Sequence, residues 1–484
     1  MGSMTLLIRN AEILNGLGNG PQHGEVVVSG DKISAIGNFP DLRADVVLDA
    51  QGAWLTPGFI DIHSHADRYH SLWDDPAQGH SLEQGITSVV GGQDGMSLAP
   101  LAPHAPDLWL PWSGRHRNAS WTHMREFLEH LRGRKLGPNF LTLVGYSNLR
   151  PFGKRASLKE TLFAAERALS EGAFGISIDL EREKISAKEL SAVLHLLQNG
   201  GFLALDMPRG RELPPDDLLK AIGRSRTKVV LSDPSAASDL SELVSFVEGT
   251  DNVYLEVAYT PFEVKPLREM LPERLRQAPE PELAVVLNDG WHVSRLKKEM
   301  AAADPGRLYV VQAPGHDALV GRSLAELMPD FGWQEPQTAL LALLRLTGAK
   351  GLVADRSADL KELERALSSP KTLLGSGGAS LLPERKPAVA HLDRNYASFV
   401  NFISAALANG ADPAGIARKL CTLPADILGI RDRGAILEGR YADLTCFKAD
   451  GIQFTIVNGR VVFRAGEREP VFPGRVLAAN SKET

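Results

Sequence analysis

From Phe59 onward the chain alternates short apolar runs with stretches long enough for a helix, and this pattern limits its fold more than any other feature. Such alternation encodes parallel strands joined by crossover helices. Eight runs read as strands: 59–65, 88–94, 140–146, 175–179, 201–206, 228–233, 253–259 and 372–377. Eight strand–helix repeats predict an α/β protein built on a TIM (β/α)8 barrel, whose site lies at the C-terminal strand ends. Five of the eight ends finish near His65, Asp94, Asp179, Asp206 and Asp233. Ordinary turn chemistry would favour Gly, Asn or Ser there.

The flanks differ. Residues 5–58 hold short strands without helical periodicity, including a hairpin around Gly30-Asp31. The tail returns to strands, with a hairpin around Asn458-Gly459. The two ends are expected to pair into one β-sandwich, 4–58 forming one half and 431–484 the other, around a barrel at 59–430. An insertion at about 263–370 precedes the last barrel strand, longer than a single crossover requires. Within it, 284–287 and 308–311 look like strands and 336–346 like a helix, with Pro336 at its first position.

The net charge of −6 over 484 residues argues against nucleic acid as the main partner. No apolar run is long enough for a membrane span. Cys421 and Cys446 stand apart from other ligand-type clusters, so a reducing cytoplasm is expected. The oligomeric state is not legible.

The first barrel strand carries the strongest chemical signal, Pro57-Gly58-Phe59-Ile60-Asp61-Ile62-His63-Ser64-His65. Residues i and i+2 of a strand share a face, so His63 and His65 are expected to project together, suited to one metal ion or one small cleft. Two polar residues on an exposed strand end are the bland alternative. Asp206 and Asp233 could each cap a following helix. Asp179 sits beside the charged run 180–184 and reads as part of a solvated loop.

These pieces together resemble the amidohydrolase superfamily, and within it the D-aminoacylases (N-acyl-D-amino-acid deacylases). The stretches that carry the resemblance include Glu83-Gln84-Gly85-Ile86-Thr87-Ser88, Leu143-Val144-Gly145-Tyr146-Ser147-Asn148, Gly172-Ala173-Phe174-Gly175 and Arg433-Gly434-Ala435 through Asp443. The resemblance implies a TIM barrel with a split β-sandwich, and amide hydrolysis at a zinc site of one or two metals. His63 and His65 fall on the family's first two metal positions. Its bridging Cys is Asp94 here, its fifth- and sixth-strand His are Asp206 and Asp233, and its third-strand His aligns with Tyr146. The last-strand Asp, the family's general base, falls on Gly377.

The expected metal ligands are therefore His63, His65, Asp94, Asp206 and Asp233, with the three Asp as catalytic groups and Tyr146, Arg150 and Arg394 as substrate-binding candidates. A carboxylate-rich donor set is harder than a Cys/His set, which brings Mn²⁺ or Fe²⁺ in beside Zn²⁺. Without a cation, at least one of three converging carboxylates would have to stay protonated. Three readings stay open. One is an amidohydrolase-like enzyme with an altered or single-metal site, acting on the amide bond of a small acyl-amino-acid or peptide-like substrate. Another is a metal-free barrel performing cyclisation, elimination or isomerisation. The third is a non-catalytic relative that binds a ligand or partner.

Overall fold

The computed structural model describes residues 4–67, 71–101, 121–150, 157–207, 213–232, 240–276, 278–301, 303–378 and 397–479. Both chain ends contribute to one nine-stranded sheet. Its seam is Trp54–Pro57, which pairs antiparallel with Leu444–Lys448. Alternate residues such as Leu6, Ile8, Val26, Val28, Leu444 and Cys446 form a shared apolar core, as the two-residue period of a strand requires. Asn458 and Gly459 both take positive φ, the condition for a tight two-residue hairpin, and join Val457 to Arg460. Hydrogen bonding joins eight of these strands in one path, and Val46–Asp49 branches from it by pairing with Thr5–Ile13. Thr5–Ile13 pairs along its length with both Val46–Asp49 and Trp54–Pro57 as well as with Gln22–Ser29, so one strand serves the whole N-terminal part.

The predicted barrel strands appear as Phe59–Asp61, Ile86–Gly91, Asn139–Thr142 with Val144–Gly145, Gly175–Asp179, Phe202–Asp206, Lys228–Ser232, Val253–Val257 and Thr372–Leu374. All their pairings are parallel, and neighbours follow chain order. Two sheets result, and they meet at both ends. Leu143 separates the two short segments of the third strand, one in each sheet. At the other end, Gly377 N–H donates to His63 O (2.7 Å) and His65 N–H donates to Gly378 O (2.7 Å). This order is that of the eight-stranded arrangement predicted from the sequence.

The strands are buried on both faces, hence their nearly continuous apolar composition. Val253, Leu255 and Val257 join the large core shared with the helices. Ile60, Ile62, Val90, Leu141, Leu143, Ala204, Val230 and Leu373 form a second cluster. The residues between Tyr259 and Thr372 have a core of their own, including Leu283, Leu287, Leu296, Leu327, Leu340 and Leu344. Here Glu263–Pro266, Leu308–Gln312 and Leu352–Asp355 form an antiparallel sheet, and Pro336–Leu346 is a helix with Pro in its first turn. Residues 284–287, expected as a strand, lie in the helix Glu280–Asn288. Leu283 and Leu287, one turn apart, both reach the local core, and that packing outweighs the strand preference of Val285-Val286.

Candidate metal centre

The first barrel strand ends at Asp61, so strand alternation is not what brings the two histidines together. Long-range contacts do. The Asp61 carboxylate accepts from Ser376 N–H (2.9 Å), from the Ser376 hydroxyl (2.5 Å) and from His63 N–H (3.3 Å). Together with the backbone bonds at His63 and His65, this fastens the turn after the first strand to the turn after the last. Burial pushes the Asp61 pKa up to about 6, against the opposing pull of the Ser376 donors.

Asp94 approaches from the loop after the second strand. It holds a left-handed backbone with φ +50°, a conformation that Asp tolerates better than most residues. That loop is fixed on several sides. Gly92 N–H donates to Asp67 (2.8 Å), and the Gln93 amide donates to Ile62 O (2.8 Å). A side chain at Gly92 would meet Leu143 O at 2.2 Å, so only glycine permits this approach.

The result is a compact group. His63 Nε2 lies 3.2 Å from Asp94 Oδ1, and His65 Nε2 lies 3.1 Å from Asp94 Oδ2. The imidazole centroids are 5.3 Å apart. One ligand atom from each of the three residues falls within 4.8 Å of the others. Both histidines are buried, whereas the Asp94 side chain is 22% exposed and marks the open side. Behind the cluster, His63 Nδ1 and Glu256 Oε2 are 2.9 Å apart, both side chains being 1% exposed. Burial works against a charged imidazole at His63, yet Glu256 and Asp94 outweigh it and hold its pKa well above the ordinary value.

The donor set fits a divalent ion. Two ligands at about 2.1 Å from one metal stand roughly 3.0–3.4 Å apart in tetrahedral or octahedral geometry, and the two His–Asp94 separations fall in that interval. Two imidazoles and a carboxylate leave further positions for water or substrate.

The other expected residues fare differently. Asp206 is buried at the end of its strand, in register with Asp179 and Ser232, but it is not in the three-residue group. Asp233 and Arg394 lie outside the described residues. Tyr146 is buried, which raises its hydroxyl pKa. Its hydroxyl accepts from Arg150 (3.1 Å), whose guanidinium also pairs with Glu183 (3.1 Å) and Glu189 (3.0 Å). A substrate carboxylate at Arg150 would have to compete with two protein carboxylates.

Sequence reasoning missed two groups and misjudged the surroundings of a third. Glu256 interrupts the apolar run Val253–Val257, and a charge inside a strand buried on both faces was the available signal. Ser376 offers none, because its partner is 315 positions away. Asp179, expected on a solvated loop, is instead mostly buried. Burial raises its pKa, Arg182 opposes that rise, and Asp94 adds to it. Asp179 is therefore electrostatically linked to the centre.

No model of a known protein family matches the chain. Relatives match almost all of it. A D-aminoacylase of Alcaligenes xylosoxydans xylosoxydans is 28% identical, covering 98% of this chain and 97% of that protein. An N-acyl-D-aspartate deacylase of the same organism is 26% identical, covering 98% and 94%. Among solved structures, an N-acyl-D-glutamate deacylase from Bordetella bronchiseptica, complexed with zinc and a phosphonate inhibitor, superposes with a TM-score of 0.78. It is 21% identical, and the match covers 99% of this chain and 100% of that one.

Proposed function

We propose that this chain, which matches D-aminoacylases over almost all of its residues, is an amidohydrolase acting on the amide bond of a small acyl-amino-acid or peptide-like substrate. In this reading the barrel is closed, with the paired chain ends and the segment 263–370 as its appendages, and the centre is the group His63, His65 and Asp94. The observation that carries it is the spacing of three donors around one point, on an architecture whose relatives hydrolyse acyl amino acids. A divalent ion held there would supply Lewis acidity toward the amide carbonyl and toward water.

The protein's own groups would do the rest. His63 and His65 bind through Nε2, and the exposed edge of Asp94 faces the substrate side. Gly377 offers no side chain, so a proton acceptor must come from the remaining strand-end carboxylates. Asp206 is our candidate, with Asp233 as a second one, and either could also complete the ligand set. Tyr146 and Arg394 remain candidates for substrate contact. The grouping of three donor atoms from His63, His65 and Asp94 supports the metal-bound reading.

The test is amine release from a panel of N-acetyl-D-amino acids by protein loaded with Zn²⁺ or Mn²⁺, alongside elemental analysis. Turnover that falls by about 10²-fold or more in His65→Ala and Asp206→Asn is expected, in line with the usual loss of a ligand or an acid–base group. No bound metal together with no amine release from any substrate would overturn the reading.

A further inference from the structure

We propose that Glu256 is the positioning residue of the metal centre, orienting His63 so that Nε2 alone presents its lone pair to the ion. The inference rests on the metal-binding reading above and adds a residue to it.

The seventh strand, Val253–Val257, sends Val253, Leu255 and Val257 into the core shared with the helices. Glu256 therefore points to the opposite face, toward the first and last strands. There it meets the Nδ1 edge of His63 at 2.9 Å, opposite the edge that faces Asp94. With Glu256 as the acceptor, this contact would place a proton on Nδ1. When an ion is bound, Nε2, the edge that faces Asp94, is then the nitrogen left to hold it.

The space for this contact is reserved just after the eighth strand. A Cβ at Gly375 would lie 2.2 Å from Glu256 Oε1 and 2.8 Å from His63 Cβ. One strand and the turns that follow two others thus meet at one point, and the absence of a side chain at Gly375 lets Glu256 and His63 bond. Full burial of the pair makes the orientation stiff, because a misdirected Glu256 would leave a carboxylate buried without its imidazole. Hydrogen-bonded partners of metal-binding histidines govern metal affinity by about 10–100-fold.

The test measures Zn²⁺ and Co²⁺ binding to the full chain, stripped of metal, by titration calorimetry and by the visible absorption of the Co²⁺ form. Glu256→Gln keeps an acceptor of the same shape, and Glu256→Ala removes it. Affinity is expected to fall about 10-fold in the first and up to about 100-fold in the second. The Co²⁺ band should shift in both, at a metal-free melting temperature for Glu256→Gln close to that of the parent. An ordinary structural defect would not move the Co²⁺ spectrum of a protein that remains folded. Parent-like affinity and spectrum in folded Glu256→Gln would overturn the role of Glu256 while leaving the metal site intact. A parent protein that binds neither ion would overturn the metal site itself, and the positioning role with it.

Discussion

Adding a single methyl group at Gly375 should disturb the centre without removing any of its groups. The Cβ of Gly375→Ala would sit 2.2 Å from Glu256 Oε1 and 2.8 Å from His63 Cβ. The first separation is more than about 1 Å inside ordinary van der Waals contact. Glu256 is the movable partner, but it is buried, and moving it lengthens the 2.9 Å bond to His63. Overpacking a core costs about 1–3 kcal/mol, and loss of a charge-assisted hydrogen bond costs about 1.5–3 kcal/mol. The two are not additive, so the expected destabilisation is about 2–4 kcal/mol. At roughly 2–4 °C per kcal/mol for a large domain, the melting temperature should fall by on the order of 5–15 °C. Scanning fluorimetry on metal-free protein reads that fall, and Zn²⁺ titration reads a parallel loss of affinity. A melting temperature within about 2 °C of the parent, with unchanged Zn²⁺ affinity, would show that the contact at Gly375 is not tight and refute the packing argument.

Asp94→Cys should convert the centre to a softer donor set, so that Zn²⁺ outcompetes Mn²⁺ more strongly than in the parent, checked by elemental analysis after equilibration with both ions. A third prediction concerns acid stability. Glu83 accepts from Arg468 (2.7 Å) and contacts His80 (3.4 Å), tying Glu467–Arg468 to the helix Gly79–Glu83. Burial works against its charge, but these two partners prevail and hold its pKa down at about 2. A depressed carboxylate stabilises the fold above its unfolded pKa of about 4.3 and loses that contribution as pH falls through the folded value. The melting temperature of Glu83→Gln should therefore vary less than the parent's between about pH 5 and pH 2. Equal slopes would count against this pairing.

The strand-and-helix pattern was legible because burial on both faces demands apolar residues wherever a parallel strand runs. Pro336 at a helix start and Asn458-Gly459 at a hairpin were legible because each residue restricts its own backbone. Asp94 could be placed beside the histidines by resemblance alone. What a local pattern cannot carry is a choice of partner from a distant strand. Glu256 lies 193 positions from His63, and Ser376 lies 315 from Asp61. The helix at Glu280–Asn288 and the single terminal sheet were likewise settled by packing and pairing among separated segments. The sequence alone determined where the parallel strands lie and which chemistry sits at their ends. Tertiary structure decided which ends converge, because a hydrogen bond inside a dry interior depends on position to within a few tenths of an ångström, and only the assembled fold sets that position.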